Sequence, residues 1–494
     1  MLPVPRTAGA PRPDMPFDGQ LAGKIGHEDI LQNPDVEAFL RDHGDVPRPD
    51  ETTMVDVFAS CPRASAFTGS LPPFIIAIDG SYYEAAADQR EPSRRVGYLK
   101  VGMVALDMNA YGKLGAGSIY VDPLAVNRLL MSDALSMALP GANMKRSEFT
   151  SAAEGYRFYV QHYFDGARTT IGESKDTLLD TLVTLLRYNG DVREHDGEAC
   201  VRVDGCPNGD CPSNERDNSG TKSSPKAYHV PVADRMTRCS ECAGLVLIVD
   251  AIRIGEAFVE SGSNAETYGR TMLASEHLLV AHWIRHYREN HLQLLSQLGF
   301  VMDGPLSVSG ESAKLHAPML MLIHDANAAL AAEGMDSLLV MGLTKSGMTV
   351  EHFTNLNWPP AAEHGSASLR NFAFAVTDEY RYKYITPRPR TTNRPFGSET
   401  YYGQDILVRT ARGHEFVITL PYPTRTKGEV GFANRFEVAQ YSSAGKAFEL
   451  LRTLESDLYA NALIPVILAH EYASISLVPG GKVLDLATAR AMKH

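Results

Sequence analysis

Two runs of the chain share one pattern, and that pattern restricts the fold more than any other feature. Phe74-Ile75-Ile76-Ala77-Ile78 runs without alternation from a Pro-Pro pair into Asp79-Gly80-Ser81. Gly299-Phe300-Val301-Met302 runs likewise into Asp303-Gly304-Pro305-Leu306. Short apolar runs bounded by turn residues predict central strands buried on both faces. An acid at the end of such a strand lies at the rim of the sheet, where open α/β sheets bind ligands. Two of them bring two carboxylates to one edge, a candidate divalent-metal site, because hard cations take several oxygen ligands. The competing reading is that Asp79-Gly80 only opens a turn.

Around these runs the sequence predicts a mixed α/β sheet with flanking helices. Residues 1–22 are Pro/Gly-rich and read as a loose arm. Asn33-Pro34-Asp35-Val36-Glu37 carries the signals of a helix start, and Gly44 those of its stop. Ser81 through Pro92 reads as a turn, followed by a strand from Val96 to Leu106 that pairs back on the first. Residues 120–190 read as helical, most clearly Asp176–Leu186, with apolar residues at 178, 179, 182, 185 and 186. Pro212–Pro225 reads as a disordered loop, and Leu245–Asp250 as a strand with a terminal acid. A long helical pattern from about residue 265 to 298 feeds the Asp303 strand. A helix near 313–333, a strand Ser337–Leu343, and a strand pair at 405–409 and 415–420 follow. Asn461–Tyr472 reads as partly helical, with Pro465 near its start.

Composition sets the outer limits. The 494 residues hold several domains' worth of core, and 44% apolar with 21% charged residues is ordinary for a globular protein. A net charge of −12 argues against coating nucleic acid by bulk electrostatics but leaves room for a local basic channel. No run approaches the length of a membrane span, and the first residues lack the apolar core of a signal peptide. The expected location is the cytoplasm, without membrane contact.

Glu276 is the candidate third acid, because it interrupts an apolar helical pattern, which is costly unless the acid is solvated, paired or ligating. A solvent-facing Glu276 is the alternative, and Glu256, Glu289 and Asp250 are weaker rivals. His470 ends the run Val466-Ile467-Leu468-Ala469 and is either a satisfied core histidine or a ligand. Cys206, Cys211, Cys239 and Cys242 form C-x₄-C-x₂₇-C-x₂-C, the spacing of a four-thiolate structural zinc; free thiols in a loop are the alternative. Cys200 and His229 are possible replacement ligands. Tyr380-Arg381-Tyr382-Lys383-Tyr384, with Arg388, Arg390 and Arg394, interleaves cations and aromatics. That suits a single strand of nucleic acid, or equally an exposed edge strand guarded by charge. Lys345 follows a buried strand, where it could neutralise a phosphate or be an ordinary loop lysine. No G-x-x-x-x-G-K-[ST], G-x-S-x-G or H-E-x-x-H occurs. Such a chain could cut nucleic acid but is not expected to pump it.

In order, Asp79-Gly80-Ser81, Asp303-Gly304-Pro305-Leu306, Gly342-Leu343-Thr344-Lys345, Asp378-Glu379-Tyr380, Phe396-Gly397, Tyr402-Gly403-Gln404-Asp405 and Leu468-Ala469-His470 resemble the NurA nucleases. The likeness runs from about residue 70 to 485. It implies an RNase H-like core in a homodimeric, manganese- or magnesium-dependent nuclease that degrades DNA ends beside HerA, a hexameric ATPase, in repair or antiviral defence. It divides the chain into an arm and short helix (1–65), a first core segment with a helical insertion (66–195), a Cys-rich zinc insertion (196–245) and the rest of the core (246–494). By position, Asp79 and Asp303 resemble the family's strand-end aspartates, Glu276 its helix glutamate and His470 its late histidine. Together these four would hold the metal. Lys345 and Arg381 would offset charge on the phosphate, with Lys383, Arg388 and Arg390 along the DNA. Two alternatives stand: a non-catalytic zinc-bearing scaffold that binds DNA or an ATPase, and a phosphoaspartyl hydrolase, for which the strand lacks a D-x-D pair.

Overall fold

A computed structural model describes residues 30, 33–42, 47–88, 90–114, 130–214, 226–356, 358, 369–387, 394–455 and 463–475. The expectations for residues 1–22, Gly44 and most of Pro212–Pro225, and for Arg388 and Arg390, fall outside these. The chain divides into Met1–Arg48 and Pro49–His494. In the first unit, α1 (Pro34–Asp42) starts where expected, with Asn33 Oδ1 accepting from the Asp35 N–H at 2.9 Å. No described helix is long and apolar enough to cross a membrane.

The second unit opens with α2 (Glu51–Phe58) and then a pair of long strands, β1 (Phe74–Asp88) and β2 (Glu91–Asp107). The expected turn at Asp79-Gly80-Ser81 does not form, and β1 continues for nine residues beyond Asp79, to Asp88. Antiparallel pairing with β2 puts Asp79 opposite Gly102 and Ser81 opposite Lys100, so an extended partner overrides the local turn signal. Next comes β3 (Leu130–Pro140), within the stretch expected to be helical. Its buried Leu135, Met137 and Leu139 alternate with exposed Ser136 and Ala138, the period of a half-buried strand.

Helices α3 (Ala152–Phe164) and α4 (Leu178–Tyr188) follow. A small sheet of β4 (Val192–His195), β5 (Glu198–Asp204) and β6 (Ala227–Pro231) then leads to the hairpin β7 (Met236–Arg238) and β8 (Leu245–Leu247). The strand expected over Leu245–Asp250 stops at Leu247, because Asp250 Oδ2 accepts from the Leu247 N–H at 2.7 Å and closes a 3₁₀ turn. Helix α5 (Ala265–Asn290) crosses to β9 (Leu298–Asp303), and α6 (His316–Ala332) to β10 (Leu339–Thr344). Strands β11 (Phe372–Ala375), β12 (Gly403–Arg409) and β13 (Glu415–Pro421) precede α7 (Ala444–Leu454) and α8 (Ile464–Ala473).

Eight strands form one sheet in the order β11-β12-β13-β10-β9-β1-β2-β3. β1, β9 and β10 are parallel neighbours, and the remaining pairs are antiparallel. Both faces are covered, which is why β1 reads as a continuous apolar run. Ile76 and Ile78 pack with Ala274, Leu278 and Ala281 of α5 and with Leu322 of α6. Ile75 and Ala77 pack with Phe448 and Leu451 of α7 and with Val466 and Ala469 of α8. The Cys-rich segment shares the first of these cores through Val201, Val230 and Leu245.

Candidate metal centre where two strands part

Strand register brings the two aspartates together. β1 and β9 pair in parallel up to Ile78 beside Met302, so the next residues, Asp79 within β1 and Asp303 at the end of β9, stand side by side where that pairing stops. Residues abreast on parallel strands project to the same face, here the one covered by α8. That helix carries His470, whose Nδ1 lies 2.7 Å from Asp79 Oδ2. Gly102, opposite Asp79, admits the helix: a Cβ there would stand 3.0 Å from the Tyr472 ring and 3.2 Å from the Ala473 Cβ. One ligand atom each from Asp79, Asp303 and His470 lie within 4.8 Å of one another. Donors that share one ion at about 2–2.5 Å are separated by at most roughly twice that distance, so this set fits a single cation.

Glu276 approaches from the opposite face. It is 4% exposed on α5, and a Cβ at Gly80 would lie 2.5 Å from its Oε1. Burial first, then the charges of Asp79 and Asp303, push its pKa well above the ordinary carboxylate range. Glu276 is thus a buried acid within electrostatic reach of both aspartates, outside the three-residue group and not solvent-facing. Asp303 is also raised, by burial, while the Lys345 ammonium opposes the shift. Lys345 Nζ lies 2.7 Å from Asp303 Oδ2, so this lysine belongs to the cluster. Three neighbouring acids and one imidazole favour a bound cation, which relieves their mutual repulsion.

The rival acids are engaged elsewhere. Asp250 pairs with Arg157 at 2.6 Å, Glu256 with Arg253, and Glu289 stands 3.4 Å from Arg288.

The expected basic strip takes another form. Residues 378–385 are helical, with Arg381–Ile385 in a π-type turn, so neither an exposed edge strand nor an extended platform exists there. Arg381 is 3% exposed and donates to Asp405 at 2.5 Å and to Thr349 Oγ1 at 3.1 Å. It also stacks on Phe396 at 3.9 Å, so its charge is consumed internally and does not meet a phosphate at the surface. Tyr380 and Tyr384 are core residues. Lys383 is exposed.

The four cysteines converge. Cys206 and Cys242 sulfurs lie 3.7 Å apart, and those of Cys211 and Cys239 3.6 Å apart. A tetrahedral ion with thiolate bonds of about 2.3 Å spaces its sulfurs about 3.8 Å apart, so the cluster fits one metal ion. Around it, Asn208 Nδ2 reaches Cys206 at 3.4 Å and Cys242 at 3.6 Å, and the Glu241 N–H reaches Cys239 at 3.4 Å. Cys200 and His229 are not part of the group. His229 instead stacks on His195 with ring centroids 3.9 Å apart.

Sequence reasoning missed the link from this cluster to the core. Arg157, 2% exposed, donates to Asn208 Oδ1 at 2.7 Å and to Asp250 Oδ2 at 2.6 Å. The signal was present: an arginine among the aromatics of α3 needs a buried partner. Set beside known proteins, the chain matches no protein-family model, and no curated protein matches it.

Proposed function

We propose that the chain is a metal-dependent deoxyribonuclease of the NurA kind. One observation carries this reading: the parallel register that sets Asp79 and Asp303 abreast, with His470 within ligand distance of both. The strand order supports an RNase H-like core, since an antiparallel β3-β2-β1 unit continues into parallel β9 and β10, with the acids just past the last β1–β9 pair. Asp79, Asp303 and His470 would hold Mn²⁺ or Mg²⁺, with Glu276 as a fourth donor once ionised. A bound ion of this kind lowers the pKa of a water and offsets charge on a phosphodiester. His470, 59% exposed, stands at the open side of the site, where it orients against Asp79. Lys345 is placed to leave Asp303 for the phosphate as charge develops there. The four-cysteine cluster reads as a structural zinc, because four thiolates leave no open position. Partnership with a HerA-type ATPase, a homodimeric state and action on DNA ends follow from the resemblance, and the missing nucleotide loop agrees with the first of these.

The Lys345–Asp303 pair favours a rival, because a protein cation already neutralises one acid. In that reading the chain is a zinc-bearing scaffold that binds DNA or an ATPase. Incubating linear DNA with the chain and Mn²⁺ decides between them. The nuclease reading expects digestion that Asp79→Asn and Asp303→Asn each abolish while the far-UV circular dichroism is retained. Digestion that survives both changes, or its absence from the wild type, would sink it.

A further inference from the structure

Asp79-Gly80-Ser81 has the composition of a turn yet lies within a strand, so its glycine and serine need another explanation. Alternation along β1 sends Asp79 and Ser81 to the α8 face and Gly80 to the α5 face. On the α5 face, a Cβ at position 80 would lie 2.5 Å from Glu276 Oε1 and 2.6 Å from Met272 Cγ. Any side chain there would fill the space in which the Glu276 carboxylate reaches the rim. On the α8 face, Ser81 Oγ donates to the Ala473 carbonyl at 2.5 Å and accepts from the Ile475 N–H at 2.9 Å. Lys100, opposite Ser81 on β2, donates to the Tyr472 carbonyl and lies 4.3 Å above the Tyr472 ring. These bonds satisfy the end of α8, where carbonyls lack helical partners and a cation is favoured. His470 sits within that last turn.

We infer that Gly80 and Ser81 are positioning residues, Gly80 admitting Glu276 to the metal centre from one face of the sheet and Ser81 fixing the helix end that presents His470 from the other. The inference rests on the metal-centre reading of Asp79, Asp303 and His470. It assigns neither residue a place on the metal or the substrate.

The test is a Mn²⁺ titration of the full chain, followed by loss of the free-ion electron paramagnetic resonance signal. It compares the wild type with Ser81→Ala, Gly80→Ala, His470→Ala, Glu276→Ala and the doubles Ser81→Ala/His470→Ala and Gly80→Ala/Glu276→Ala. Loss of an orienting partner weakens metal binding by about 10–100-fold, and that is expected for each positioning variant. The loss should vanish in the matching double, because each residue acts through one ligand. Ser81→Ala removes a single oxygen and keeps the inference testable even where Gly80→Ala does not fold. Wild-type affinity in Ser81→Ala, or losses that add in full to those of the ligand variants, would overturn the inference alone. A wild type that takes up no Mn²⁺ would overturn the metal-centre reading beneath it.

Discussion

Replacing Glu276 by Gln should stabilise the chain at neutral pH while removing an acid from the rim. The carboxyl is 4% exposed, and its pKa is raised by burial first and then by Asp79 and Asp303. In the folded chain such an acid keeps a proton that the unfolded chain has released. Its contribution is therefore most favourable below the unfolded value near 4.5 and declines as pH climbs toward the folded value. The decline for one proton is ~1.4 kcal/mol per pH unit. Gln keeps the shape and an acceptor oxygen but does not titrate. The stability gap between variant and wild type should open above pH ~4.5, widen by up to ~1.4 kcal/mol per unit, and level off at the folded pKa. Urea unfolding of both chains at half-unit steps, without added divalent ions, measures the gap. Adding Mn²⁺ should narrow or invert it, because a ligand of the native state stabilises the chain that binds it better. A gap that does not vary with pH, or a variant less stable than the wild type at pH 7, would refute the buried, charge-coupled Glu276.

Three further outcomes are expected. Cys239→Ser should remove one bound zinc equivalent, read by elemental analysis, and make residues 196–245 sensitive to protease, since metal affinity on the order of 10 kcal/mol is coupled to folding of such modules. Arg381→Ala should cost ~3–5 kcal/mol in urea unfolding by leaving Asp405 buried without its cation. By contrast, Lys383→Ala should change stability by less than ~0.5 kcal/mol.

The strands were legible where both faces are buried, because an uninterrupted apolar run admits few other readings. Phe74–Ile78 and Phe300–Met302 are such runs, and the acids that end them were identifiable as rim residues. Their register was not legible. A slip of one residue between β1 and β9 would turn Asp303 toward α5, and what prevents it is packing among residues more than two hundred positions apart. The cysteine spacing stated its own geometry, since metal ligation restricts separation in sequence as well as in space. Arg381 misled for the opposite reason. Its local company of tyrosines and cations suggested a surface, while the partner that buries it, Asp405, lies 24 positions downstream on β12. β3 misled because Met131, Leu135, Met137 and Leu139 satisfy either period over so short a span.

The candidate centre lies where the pairing of β1 with β9 stops. A continuous sheet separates its faces, so an acid from α5 and an imidazole from α8 can meet only beyond the last residue that β1 and β9 pair. Asp79 and Asp303 are the first positions past that pairing, and Gly80 removes the side chain that would otherwise divide the two sides. Burial alone raises the energy of an ionised Glu276. The arrangement becomes favourable only when a cation shared with the aspartates offsets it. Chains that keep the apolar strands but carry a side chain at position 80 should therefore fold with a two-acid rim, and their metal affinity should resemble that of Glu276→Ala.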